Sequence, residues 1–181
     1  KNLGAFGEGG AILTEDKSTA TRLKALRHHA QYERYIHEEL GFNYRMEGIQ
    51  GLVLSHKLKH LDNWNDQRRK IAKEYIQAFS GLPIKLPLVV HHDHVYHLFV
   101  IQTPQRDELA KWLNSRGIAT GLHYPVPLHL QPCLKHLKCA KGNFPISDSY
   151  AKNGLSLPIF PGMTTAQVNK VIQEVHGFFG T

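Results

Sequence analysis

Lys1 stands at the head of Lys1-Asn2-Leu3-Gly4-Ala5-Phe6-Gly7-Glu8-Gly9-Gly10, a segment with four glycines in ten residues. Glycine accepts positive φ and leaves no side chain in the way, so backbone here can come close to a ligand and hold a lysine against it. A primary amine so placed can attack an aldehyde or carry a proton once it has lost its own, and desolvation or nearby positive charge lowers a lysine pKa in that direction. Composition and turn logic alone favour a solvated surface lysine. Asn43, within Gly41-Phe42-Asn43-Tyr44-Arg45-Met46, is the second candidate. A short amide at a helix start adds a neutral donor to the unpaired N–H groups of the first turn, which suits a phosphate, and the same residue serves as an ordinary helix cap. The third is Gly121-Leu122-His123-Tyr124-Pro125-Val126-Pro127-Leu128-His129, where prolines at alternate positions fix an extended segment and project His123 and Tyr124 in a defined direction.

His91, His92, His94 and His97 invite a metal reading, because alternate residues of a strand share a face and imidazoles ligate zinc. The usual shell also draws on acidic or cysteine ligands. This reading counts none nearby, so no metal is expected and the alternation over 95–101 is taken as a core strand.

The elements that would position these groups follow from periodicity. A short buried strand is expected over 10–13, then a helix capped by Asp16 or Ser18 and running to about residue 30, with Ala20, Leu23, Ala25 and Leu26 as its apolar stripe. Residues 31–40 lack alternation and read as a long surface loop. Helices are expected over 47–61 and 65–79, with Gly48 and Gly51 leaving flat patches on the first. The strand at 95–101 is followed by a helix over 106–115 that stops at Gly117, and by a strand over 118–122. The segment 131–152 shows one short helical piece, 132–137. A closing strand precedes a final helix that begins at Thr164-Thr165 and buries Val168, Val171, Ile172, Val175 and Phe178. Leu98, Val100, Trp112, Ile118, Leu157 and Val171 are the expected small-domain core.

Four of these stretches occur in an order that resembles the DegT-type nucleotide-sugar aminotransferases across nearly the whole chain. They are Lys1-Asn2-Leu3-Gly4 through Gly10-Ala11, the Gly-x-Asn-x-Arg run ending at Arg45, the His123-Tyr124-Pro125 segment, and Leu155-Ser156-Leu157-Pro158. The resemblance implies an α/β fold, the C-terminal half of a fold type I (aspartate aminotransferase-like) enzyme. Residues 1–62 would form the end of the large pyridoxal-phosphate domain and the bridging helix, and residues 63–181 the small C-terminal α/β domain. It implies that Lys1 binds pyridoxal 5'-phosphate as an imine and moves protons in turnover. Asn43 would contact the cofactor phosphate of the neighbouring subunit, in a homodimer with shared active sites. His123 and Tyr124, with His129 and Arg45, would contact substrate. The implied reaction moves an amino group, from glutamate, to a keto group of a nucleotide-linked sugar in polysaccharide biosynthesis. A non-catalytic regulatory or sensor member of the same fold is the alternative. Such enzymes place the ring-stacking, ring-pairing and most phosphate-holding groups before the lysine, so this chain alone is expected to be inactive. Glu8 departs from the aspartate more usual at its position, and a lysine at position 1 argues against the dehydratase branch, which has histidine there.

The totals exclude several other classes. The formal charge of +7 is spread along the chain without aromatic interleaving, which argues against a nucleic-acid surface. No apolar run approaches the roughly 20 residues of a membrane helix, no signal peptide is legible, and a cytoplasmic location without membrane partners is expected. Cys133 and Cys139 lack a Cys-x-x-Cys spacing and fit a reduced compartment rather than a disulfide scaffold.

Overall fold

Asp16 starts the first helix, α1 (Lys17–Leu26), by accepting the Thr19 N–H at 2.6 Å and the Ser18 hydroxyl at 2.7 Å. Those bonds, Thr19 foremost, hold its carboxyl down to about 2 from the ordinary 3.8. A folded value below the unfolded one means that the cap contributes above about pH 4 and is lost as pH falls toward about 2. Protection of the amides at residues 17–20, measured against their intrinsic exchange rates, should therefore fall across that window, and Asp16→Asn, which caps without titrating, should abolish this change. Protection that stays constant across the window would refute this role of the cap.

The computed structural model describes residues 1–89 and 91–180, which fall into two units, Lys1–Leu61 and Asp62–Thr181. In the first unit α1 ends short of residue 30, because His29 and Ala30 take left-handed φ values of 59° and 54° and turn the chain back. The expected loop at 31–40 contains a small antiparallel hairpin instead, β1 (Gln31–Glu33) with β2 (Ile36–His37). A bidentate pair holds it to α1: Arg22 donates to both Glu39 oxygens at 3.1 and 2.8 Å, and Tyr32 donates to the same carboxylate at 3.2 Å. Backbone bonds from His29 to Phe42 and from Tyr44 to Arg27 then lead the chain to α2 (Gly48–Leu58).

The expected strand over 10–13 is absent among the described residues. Ile12 and Leu13 are 72% and 94% exposed. A strand exists only by pairing, and no described segment of this chain pairs there. The helix α2 likewise buries none of its own residues, and Gly48 and Gly51 face open space.

The second unit is built around two short strands, β3 (Phe99–Gln102) and β4 (Gly154–Leu157), antiparallel with Val100 opposite Ser156. Lys85 extends the ladder beyond β3, and Gly121 beyond β4, each through one isolated bridge. The strand expected over 118–122 is thus a single bridging residue. The helices α3 (Leu61–Ala78), α4 (Arg106–Ser115) and α6 (Thr165–Phe179) contribute Ile71, Tyr75, Leu109, Leu113, Val168, Val171 and Val175 to one continuous core. A Thr164–Gln167 capping box starts α6, as Thr164 followed by Gln167 predicts. Gly117, with φ of 74°, follows α4 where expected.

The strand's start and phase differ from expectation. It begins at Phe99, because Tyr96 takes a left-handed φ of 46° and breaks any extended run from 95. Phe99 and Ile101 are the fully buried pair, while Leu98 and Val100 are half-buried. Helix α5 (Pro145–Asn153), which the sequence reading leaves out of 131–152, packs on both strands, and Tyr150 and Val100 crowd Gly154 from this side. A strand covered on both faces has no polar face to mark its phase. The piece at Pro132–Leu137 is a 3-10 helix. Among the described residues no helix is long and apolar enough to cross a membrane.

Candidate active site

Two side chains of α2 hold the glycine segment that begins at Lys1. Gln50 accepts the Phe6 N–H at 2.8 Å and donates back to the Phe6 carbonyl. Lys57 Nζ donates to the Gly4 carbonyl and lies 5.8 Å from the centre of the Phe6 ring. Gly4 sits at φ 78°, a left-handed conformation that favours glycine, and a Cβ there would come within 2.9 Å of Lys57 Nζ and displace it from the clamp. Lys1 is exposed at the head of this fixed loop. Gln50 and Lys57 are positioning groups that sequence reasoning misses. The contacts span 44 and 53 residues, and no local pattern distinguishes them from solvated helix side chains.

Asn43 does not begin a helix. Glu47 is the N-cap residue of α2, and Asn43 forms an antiparallel bridge with His28. Arg45 Nε donates to Asn43 Oδ1 at 2.7 Å, and its Nη1 approaches His28 Nδ1 at 3.4 Å. With the oxygen held by a guanidinium, the amide nitrogen of this exposed side chain is the end left to donate. The structure therefore brings Asn43 and Arg45 together in the first unit.

In the second unit it brings together His123 and Tyr124, whose rings meet edge to face at 5.4 Å across a cis peptide. His123 Nδ1 is 2.8 Å from Ser156 Oγ, a nearly buried hydroxyl in β4. Beside them lies a cavity of about 560 Å3 whose walls are Pro125, Val126 and Leu128 on one side and Tyr150 and Ala151 of α5 on the other. His129 points away from solvent. Its side chain is 8% exposed, with Nε2 3.2 Å from Asp148 Oδ1 and the ring against Phe144. Asp148 Oδ2 also accepts the Gly142 N–H at 2.7 Å. Neither His129 Nε2 nor Asp148 Oδ1 makes a hydrogen bond among the described residues, so the two meet as a buried polar contact where the 3-10 turn Leu128–Leu130 lies against α5.

The histidine run at 91–97 is not a strand. His91, His92 and Asp93 place one ligand atom each within 4.8 Å of one another, all in exposed side chains, so Asp93 is the acidic neighbour that the sequence reading passed over. His94 Nδ1 instead accepts the Tyr96 N–H at 3.0 Å.

Comparison with known proteins fixes the class. Residues 1–176 match the DegT/DnrJ/EryC1/StrS aminotransferase family. A dTDP-3-amino-3,4,6-trideoxy-alpha-D-glucose transaminase of Streptomyces venezuelae is 44% identical over 177 residues, which are 97% of this chain and 47% of that protein. A pleiotropic regulatory protein of Geobacillus stearothermophilus is 40% identical over 183 residues, 99% of this chain and 49% of that one. The crystal structure of S. venezuelae DesV in complex with a ketimine intermediate superposes on all of this chain and 49% of its own, with a TM-score of 0.95 at 43% identity. The fold is that of a fold type I pyridoxal-phosphate aminotransferase. The chain belongs to the DegT/DnrJ/EryC1/StrS aminotransferase family. It spans about half the length of the curated relatives it matches.

The cofactor that this family implies asks for an amine to meet its aldehyde and for donors to its phosphate. An exposed lysine on a clamped loop and an exposed amide whose oxygen is already engaged by Arg45 fit those two demands.

Proposed function

We propose that the full-length protein transfers an amino group, from glutamate, to a keto group of a nucleotide-linked sugar, using pyridoxal 5'-phosphate. The observation that carries this reading is the family match running from residue 1 to 176, which takes in every motif described above. In it, residues 1–62 belong to the large cofactor domain and 63–181 form the small domain, and the enzyme works as a cytoplasmic homodimer. The cofactor supplies an electron sink that no side chain offers and makes the proton on the reacting carbon acidic.

The roles of this chain's residues follow from their chemistry. Lys1 Nζ binds the cofactor at rest and then serves as the base and acid that moves the proton at the reacting carbon. Gln50 and Lys57 hold its loop at the backbone. Asn43 donates its amide hydrogen to a phosphate oxygen across the dimer interface, with Arg45 fixing which end of the amide faces out and adding a cation for anionic substrate. His123 and Tyr124 contact the nucleotide sugar. His129, grouped with them by the resemblance, serves them indirectly by holding the cavity wall through Asp148.

The regulatory reading is favoured only by the names of two similar proteins, one called regulatory and one sensory, and a single experiment separates the two. Adding glutamate to the purified cofactor-loaded protein should shift the cofactor absorbance band, and a keto nucleotide sugar should restore it. A band indifferent to glutamate and other amino donors would favour the regulator.

A further inference from the structure

His123 leaves no room for any side chain at Gly121. A Cβ built on Gly121 would stand 2.6 Å from His123 Cε1 and 3.3 Å from Nδ1, well inside contact distance, so the imidazole is folded back onto the bare α-carbon. The same glycine is bonded in both directions to Ser156: its N–H donates to the Ser156 carbonyl at 3.1 Å, and the Ser156 N–H donates to its carbonyl at 2.8 Å. The Ser156 side chain then reaches His123 Nδ1 at 2.8 Å. Ser156 is 5% exposed and paired with Val100 on its other side, so its hydroxyl is placed by a buried, two-sided strand of the second unit.

We propose that Gly121 and Ser156 are positioning residues for His123. Together they seat the ring against the strand end and engage Nδ1, so that Nε2 is the atom offered to a ligand. A hydroxyl that donates to Nδ1 of neutral histidine places the ring proton on Nε2, whereas one that accepts from Nδ1–H of the other neutral tautomer leaves Nε2 an acceptor; in the imidazolium both nitrogens donate. In the Nε2–H tautomer, as in the imidazolium, Nε2 is a donor, which suits a phosphate or hydroxyl oxygen of a nucleotide sugar. This recognition step rests on the reading of His123 as a substrate contact. The seating of the ring does not.

The test uses the full-length holoenzyme and two readouts. In Ser156→Ala, 15N chemical shifts of the His123 ring should show loss of the Nε2–H preference, and Gly121→Ala, which keeps the hydroxyl, should perturb the same signals by displacing the ring. Each variant should raise the KM for the nucleotide sugar about tenfold with kcat little changed, the scale of one misdirected hydrogen bond. Adding Ser156→Ala to His123→Ala should raise it no further, because the serine acts through the histidine. Ring signals unchanged in a folded Ser156→Ala or Gly121→Ala protein, or full additivity with His123→Ala, would overturn the proposal. Altered ring signals together with a His123→Ala enzyme of unchanged KM would uphold the seating and refute the substrate contact. Should Ser156→Ala fail to fold, Gly121→Ala and the wild-type ring tautomer decide the matter by the same criteria.

Discussion

Lys1→Ala in the full-length protein is expected to lower amino transfer by on the order of a thousandfold or more and to remove the absorbance of lysine-bound cofactor. The loss is large because one amine is assigned both the covalent anchoring of the cofactor and the proton movement at the reacting carbon. Removing a proton-transferring group alone costs about 10^2–10^4-fold. Pyridoxal phosphate should still be retained weakly by its other contacts. Asn43→Ala should weaken cofactor affinity without removing the lysine-bound form. If Asn43 serves the neighbouring site, dimers formed from one Lys1→Ala and one Asn43→Ala subunit should regain one working site per pair. Undiminished turnover in Lys1→Ala would sink the assignment of Lys1, and mixed dimers that form but stay inactive would sink the shared site.

Phe99→Ala should destabilise the second unit by about 3–5 kcal/mol, the usual cost of emptying a fully buried aromatic site. A typical domain has only about 5–15 kcal/mol in all. Phe99 is 0% exposed and its ring meets Tyr75 edge to face at 5.2 Å. Tyr75 in turn is fixed by its hydroxyl, which donates to the Pro158 carbonyl at 3.0 Å, and burial pushes that phenol well above its ordinary pKa. Ile101, Leu109 and Val175 of the same core are equally buried, so the void would open inside a packed core. Val100→Ala, on the half-buried side of the same strand, should cost far less. Urea unfolding of the two variants gives the comparison, and equal losses would show that the inward phase of β3 has been misassigned.

The reading of the strand phase shows where sequence stops being informative. Alternation over 95–101 marks an apolar strand, and an apolar strand is present, but Tyr96 turns left-handed and β3 starts at Phe99. Which residues face inward depends on α5 lying over the other face, and α5 had no legible signal amid the glycine and proline punctuation of 131–152. Similarly, the hairpin at 31–37 is too short for periodicity. It is held by the Arg22–Glu39 pair, whose partners are 17 residues apart.

What the sequence by itself determined is the local and the specific: the capped starts of α1 and α6, the extent of α4 and the left-handed Gly117 after it, and the motifs that identify the family. Local caps and turns are written in neighbouring residues, and a motif is written in the chain itself. Only the tertiary structure decided that Asn43 bridges His28 and does not begin a helix, that Gln50 and Lys57 clamp the loop of Lys1, that His129 turns inward to Asp148, and that His123 rests on Gly121 beneath the Ser156 hydroxyl. Each of these depends on groups far apart in the chain and brought to within a few ångströms by packing. A polar side chain's role is set by the partner it meets, and that partner cannot be read from its neighbours in sequence.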